Sequence, residues 1–100
     1  MKEIRVARLA EMDLDRMWSY IASKSASVEI ANGVVDSIVT GFSLLAQTPK
    51  AGLRRDELES DVRGLPIGSH IVYYRETEKL VVVARVLHGM RDQAVAYWKT

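Results

Sequence analysis

At 100 residues the chain makes one domain, residues 1–100, and leaves no room for a second core. Apolar residues are 48% of it and charged residues 27%, which excludes disorder; the lack of cysteine excludes disulfides and thiolate metal sites. Fourteen Lys and Arg stand against 13 Asp and Glu, a formal +1, which excludes the strong phosphate attraction of a general nucleic-acid binder.

Glu3 to Leu9 alternates polar and apolar residues and predicts a short strand with Ile4 and Val6 inward. Leu14, Met17, Trp18 and Ile21 then fall at i, i+3, i+4 and i+7, one face of a helix with Met17 and Trp18 in the core. Glu11, Asp13 and Asp15 sit at its start, where the dipole favours negative charge, and Lys24 at its end. Ser25-Ala26-Ser27 reads as a break that caps a second helix. Ala31, Val34, Val35, Ile38, Phe42 and Leu45 mark one face of that longer helix, which Pro49 stops. Gly33 and Gly41 each weaken it by up to ~1 kcal/mol relative to Ala, so both are expected at close contacts. A break this short makes the two helices an antiparallel hairpin.

Lys50 to Asp61 is charged and without period, a surface loop. Val62 to Ile67 is a weak strand whose Pro66 requires an edge or a bulge. Ser69–Arg75 and Leu80–Leu87 are stronger strands, and Glu76-Thr77-Glu78-Lys79 suits a hairpin loop between them. Met90 to Trp98 is expected to end the chain as a short helix. The order β-α-α-β-β-β(-α) predicts an α+β fold: a helical hairpin packed on a mainly antiparallel four-stranded sheet.

His70 and His88 belong to no ligand-spaced cluster, so neither metal nor cofactor is expected. The longest unbroken apolar run, Leu80–Ala84, is far short of the ~20 residues that span a bilayer. The N-terminal residues MKEIRVARLAEMD carry no apolar signal core; a cytoplasmic location without a membrane partner is expected.

Several residues stand out singly. Arg85 interrupts the most apolar strand; it is either buried beside a carboxylate or turned to a functional face. His88 either moves protons or ends the strand as a structural ring bonded to backbone. Arg91 and Asp92 either cap the last helix and pair with each other or meet a partner. Tyr97 and Trp98 come after the core is used up, and tryptophan is enriched at binding hot spots.

The segment Arg85-Val86-Leu87-His88-Gly89-Met90-Arg91-Asp92 resembles the R-V-L-H-G-x-R-D ending of ParE toxins, in the RelE/ParE superfamily of type II toxin–antitoxin systems. Asp13-Leu14-Asp15-Arg16-Met17-Trp18-Ser19-Tyr20-Ile21-Ala22 resembles that family's D-L-x-x-I-W-x-Y-I-A. Leu45 to Gly52 resembles L-x-x-x-P-x-x-G, and Arg54-Arg55-Asp56-Glu57-Leu58 resembles R-x-E-L. Arg63 followed by Ile71-Val72-Tyr73-Tyr74 resembles V-R…I-V-Y-Y. The family fold matches the element order read from periodicity.

The resemblance implies a bacterial toxin neutralised by a cognate, ParD-like antitoxin in a hetero-oligomer. ParE toxins act on DNA gyrase and trap cleaved gyrase–DNA; RelE-like relatives instead cut mRNA on the ribosome. RNA cleavage needs a base, an acid and cations around the phosphate. Arg63, Arg85, His88 and Arg91 are the residues that would supply them. The RelE-like site is a concentration of Lys and Arg, whereas here one Lys lies between positions 25 and 78 and the Arg residues mix with Asp56, Glu57, Glu59 and Asp61. A gyrase inhibitor with no catalytic residues is therefore expected, with a ribosome-dependent endoribonuclease as the alternative. The gyrase contact is expected at Arg85, His88, Arg91, Asp92, Tyr97 and Trp98. The antitoxin, folding as it wraps, is expected in a groove at Val28, Ile30, Val39 and Leu44.

Overall fold

The computed structural model describes residues 1–99 as a helical hairpin laid on a sheet of five strands. The elements are β1 (Glu3–Val6), α1 (Arg8–Ser25), α2 (Val28–Gln47), β2 (Leu53–Arg54), β3 (Val62–Ile67), β4 (His70–Glu76), β5 (Leu80–His88) and α3 (Gln93–Trp98). Strands lie in the order β1-β5-β4-β3-β2. β1 runs parallel to β5 and every other neighbour is antiparallel. The fifth strand, β2, corrects the expected four: Leu53 and Arg54 pair with Gly64 and Arg63 inside the segment read as loop. A two-residue strand with both side chains exposed leaves no periodic signal.

The helix-facing core forms from the stripes read in the sequence. Met17, Ile38, Phe42 and Leu45 pack on Val72, Tyr74, Val81, Val83 and Val86. α2 is long and apolar enough to pass for a membrane span by composition, but its apolar stripe lies on the sheet. Ala26 turns the hairpin in the left-handed conformation, φ 53°, and the Ser27 hydroxyl caps α2 by accepting from the Ile30 N–H at 3.2 Å. Gly41 lies directly against the Ile67 side chain, where a Cβ would collide. Gly33 faces open space, so the close contact expected there is absent.

α1 starts earlier than its apolar stripe suggests. Ala7 is extended and its N–H still bonds the Val83 carbonyl, so the helix begins as soon as β1 ends. Glu11 alone of the three acids stays in the first turn. Trp18 is half-buried rather than in the core; its indole N–H donates to Asn32 Oδ1 at 2.7 Å across the helix pair.

The other face carries a second core of Leu58, Val62, Tyr73, Leu87, Ala96 and Tyr97. A register shift between Tyr73 and Tyr74 sets Tyr73 opposite Arg85 but Tyr74 opposite Val83. Ala84 is thus the extra residue of a bulge, and it resets which side chains face the helices. Tyr74 then faces the hairpin, where its hydroxyl donates to the Pro49 carbonyl at 2.7 Å and accepts the Gly52 N–H at 2.8 Å. That pins the chain leaving α2. Pro66 pairs with Ile71 beyond the reach of β2, so β3 is an edge there, as its proline requires.

Candidate functional site

The segment from Arg85 to Trp98 is organised by one buried ion pair. Arg85 is 3% exposed. Its Nε and Nη2 donate to the two carboxylate oxygens of Asp13 at 2.8 and 2.9 Å, a bidentate pair joining β5 to α1. Its Nη1 donates to the carbonyls of Ala96, Tyr97 and Lys99 at 3.0, 2.7 and 2.7 Å. These carbonyls lie at and just beyond the end of α3, where the helix leaves acceptors short of intrahelical partners, so Arg85 gathers them and fixes the tail; the Ala96 carbonyl also accepts the Lys99 N–H at 3.2 Å. Asp13 Oδ2 also accepts the Val86 N–H at 3.0 Å. The hydrogen bond to Asp13 holds the Arg85 guanidinium above its ordinary pKa. Arg85 is therefore not available to a partner, which corrects its place among the contact residues; of its two readings, the buried one holds.

Tyr97 is also buried. Its hydroxyl donates to Glu59 at 2.6 Å, and Arg75 pairs with the other Glu59 oxygen at 2.8 Å. Burial first, then the bond to Glu59, pushes the phenol pKa well up. Tyr97 anchors α3 and offers little surface, only a trace at the floor of the cleft beside Trp98, a second correction. Asp92 caps α3 by accepting the Val95 N–H at 3.3 Å. Gln93 holds the preceding turn, donating to the His88 and Arg91 carbonyls and accepting from Tyr73 at 2.6 Å. His88 Nδ1 accepts the Met90 N–H at 3.0 Å, so that ring ends its strand as a backbone-bonded imidazole.

What remains exposed divides between two concave surfaces. Trp98 is 62% exposed, edge-on to Tyr97 with ring centroids 5.2 Å apart. It borders a cleft of about 440 Å³ with Arg8, Leu9, Val82 and Ala84, on the α3 side. His88 and Arg91 line a groove of about 810 Å³ between the hairpin and the end of the sheet, with Arg16, Met17, Ile38 and Ile67. The six expected contact residues thus do not form one patch. Two are buried, and the other four are parted among the Trp98 cleft, the groove and the α3 cap.

Of the four residues an RNA-cleaving site would need, His88 and Arg91 share the groove and Arg63 and Arg85 lie outside it. Arg63 donates to the Gly52 carbonyl at 2.8 Å and is paired opposite Arg54 and Tyr74. It lies four residues along β3 from Ile67 at the groove, about 13 Å at strand spacing. Arg85 is locked in its ion pair. The loop cations are neutralised in place: Arg54 pairs with Asp56 and Asp61, and Arg55 with Glu57. The expected antitoxin quartet also divides. Val28, Ile30, Val39 and Leu44 are all exposed, but at about 100° per residue Val28 and Val39 share one flank of α2 and Ile30 and Leu44 the opposite one. They bound no common groove.

Asp13, Arg16, His70 and Arg8 are the site residues missed in the sequence. Asp13 left a signal: it shares the inward stripe with Met17 at i, i+4, so an acid pointing inward matched an arginine in an apolar strand.

A family model described as the ParE toxin of type II toxin–antitoxin systems, parDE, matches residues 4–93. Toxin ParE1 of Caulobacter vibrioides is 32% identical over 88 residues, covering 88% of this chain and 90% of that protein. A chromosomal ParDE toxin–antitoxin system from P. aeruginosa shares the fold with a TM-score of 0.76 at 23% identity, covering 88% of this chain and 96% of that one. A RelBE toxin–antitoxin complex from Mycobacterium tuberculosis gives 0.58 at 23% identity, covering 87% and 96%. With nine-tenths of its length matched by the family model, the chain belongs to the ParE toxins of type II toxin–antitoxin systems.

Proposed function

We propose that this toxin acts by binding, inhibiting DNA gyrase, and that a ParD-like antitoxin silences it in the cytoplasm. One observation carries the choice of binding over catalysis. Two of the four candidate RNA-cleaving residues are withdrawn from the groove that holds His88 and Arg91: Arg85 is engaged in its buried ion pair and Arg63 lies remote along β3. A phosphate in flight needs several cations and a proton carrier around one point. A binding toxin needs only presented side chains, and Trp98 is the large aromatic one on the C-terminal segment, held from beneath by Tyr97 and Arg85. Membership of the ParE family supports gyrase as the target. Antitoxin neutralisation is supported by the same membership and by the two exposed concave surfaces.

The test adds purified toxin to gyrase, relaxed plasmid and ATP, and in parallel to translating ribosomes with a labelled mRNA. Loss of supercoiling with linear DNA accumulating is the expected result. Intact gyrase activity with site-specific mRNA cuts would replace this function with the endoribonuclease.

A further inference from the structure

The cleft beside Trp98 joins a flat aromatic surface to a one-sided set of charges. Leu9, Val82 and Ala84 give it an apolar floor. Trp98 forms one wall and is 62% exposed, although its backbone is fixed. The Arg85 guanidinium holds the carbonyls on either side of it, those of Tyr97 and Lys99, and the Tyr97 ring backs the indole edge-on. A large ring presented this way loses little conformational freedom when a ligand covers it.

Cations surround that ring. Val82 is in register with Arg5 of β1 on one side and Arg75 of β4 on the other. Side chains in register stand on one face of a sheet, so both arginines flank the cleft. Arg8 reaches it from the first turn of α1. Among the described residues neither Arg5 nor Arg8 forms an ion pair. The acid on the lining, Glu59, gives one oxygen to the Tyr97 hydroxyl and the other to Arg75, so both are taken. Arg8 also stands against the helix dipole, which favours acids in the first turn, and a bound anion reverses the sign of that effect.

A cleft of about 440 Å³ falls in the range that takes a small ligand. An apolar floor, an exposed indole and unpaired guanidinium groups on the rim together match a planar aromatic ring joined to phosphate. We propose that this cleft is a nucleotide site, with the base laid on Trp98 over Val82 and Ala84 and the phosphate between Arg5 and Arg8. A free nucleotide and an unpaired residue of a DNA strand present the same base and phosphate, and the test separates them. Stacking on an aromatic ring tolerates every base, so no base preference is expected. The formal charge of +1 makes long-range attraction weak, so binding depends on ring and phosphate together. Arg16 and Arg91 lie in the separate groove and take no part. The site is read with the toxin alone, so it stands or falls separately from gyrase inhibition.

The test titrates the full-length toxin with adenosine triphosphate and with a short thymidylate oligonucleotide. Tryptophan emission follows the unlabelled ligands, and anisotropy follows an end-labelled copy of the oligonucleotide. Both ligands should quench the emission, and adenosine or inorganic phosphate alone should bind at least tenfold more weakly. Trp98→Phe should still bind but lose the quenching, because Trp18 lies away on the helical hairpin, bonded to Asn32. Arg8→Glu should weaken binding at least tenfold while the melting temperature holds or rises, since an acid suits that helix end. Arg16→Glu with Arg91→Glu should bind as wild type does. Tighter binding of the oligonucleotide than of the triphosphate makes a DNA strand the source, and the reverse order makes it a free nucleotide. No quenching by either ligand at millimolar concentration, or binding that Arg8→Glu leaves unchanged, would overturn the site and leave gyrase inhibition untouched.

Discussion

The two faces of the sheet are closed by different means. On one, α1 and α2, of 18 and 20 residues, lay aliphatic stripes over Val72, Val81, Val83 and Val86. On the other, the six-residue α3 is tied down by named polar bonds: Tyr97 to Glu59, Tyr73 to Gln93, and Arg85 to three carbonyls. A helix that short has no stability of its own in water. Apolar packing is non-directional and adapts to small shifts, whereas a buried polar group left without its partner carries its full desolvation cost. The segment bearing Trp98 is therefore placed by the less forgiving of the two.

The largest effect should come from cutting the ion pair. Arg85→Met strands the Asp13 carboxylate in the interior and should lower stability by about 3–5 kcal/mol in urea unfolding. Adding Asp13→Leu to that variant should recover much of the loss, because two apolar residues leave no uncompensated charge. If the double variant is no better than the single, the tail carbonyls and the Val86 N–H rather than the stranded charge set the cost.

On the helix-facing side, Leu45→Ala should cost about 2–5 kcal/mol through the cavity it opens, yet leave the tail in place. Hydrogen exchange in α3 should be unchanged there and faster in Arg85→Met, which would show that the two faces respond separately.

Tyr97→Phe removes one charge-assisted hydrogen bond and should cost about 2 kcal/mol. It should also alter the response to alkali. The folded Tyr97 pKa is raised above its unfolded value of ~10, so the folded state keeps a proton that the unfolded chain releases. Its contribution is full below pH ~10 and is lost as pH rises toward the folded value. Melting temperatures measured from pH 8 to 11 should fall at the alkaline end, less steeply in Tyr97→Phe. Tyr73 and Tyr74, also raised by burial, supply the remaining slope. The smallest effect belongs to the α2 cap: Ser27→Ala should cost about 1 kcal/mol.

This contrast also explains what the sequence made legible. The stripe of Ile38, Phe42 and Leu45 repeats at helical spacing, so the hairpin and its core can be read from it directly. The Asp13–Arg85 pair spans 72 residues of sequence, and no local period reports a partner that distant. The Ala84 bulge shifts the alternation of β5 by one residue, so period-two reading cannot say which face Arg85 takes. β2 is too short to show a period at all. The candidate site was half legible for the same reason. His88, Arg91 and Trp98 were visible as unusual residues in a distinctive tail, while Arg16 and His70 join His88 and Arg91 only through the tertiary fold.

The most direct measurement is a gyrase supercoiling titration with wild-type toxin, Trp98→Ala and Arg16→Glu/Arg91→Glu, each matched for folded fraction. Wild type and the groove variant should inhibit alike, and Trp98→Ala should need at least tenfold more protein at the same melting temperature. Equal potency of Trp98→Ala and wild type, or no inhibition by wild type, would contradict the account.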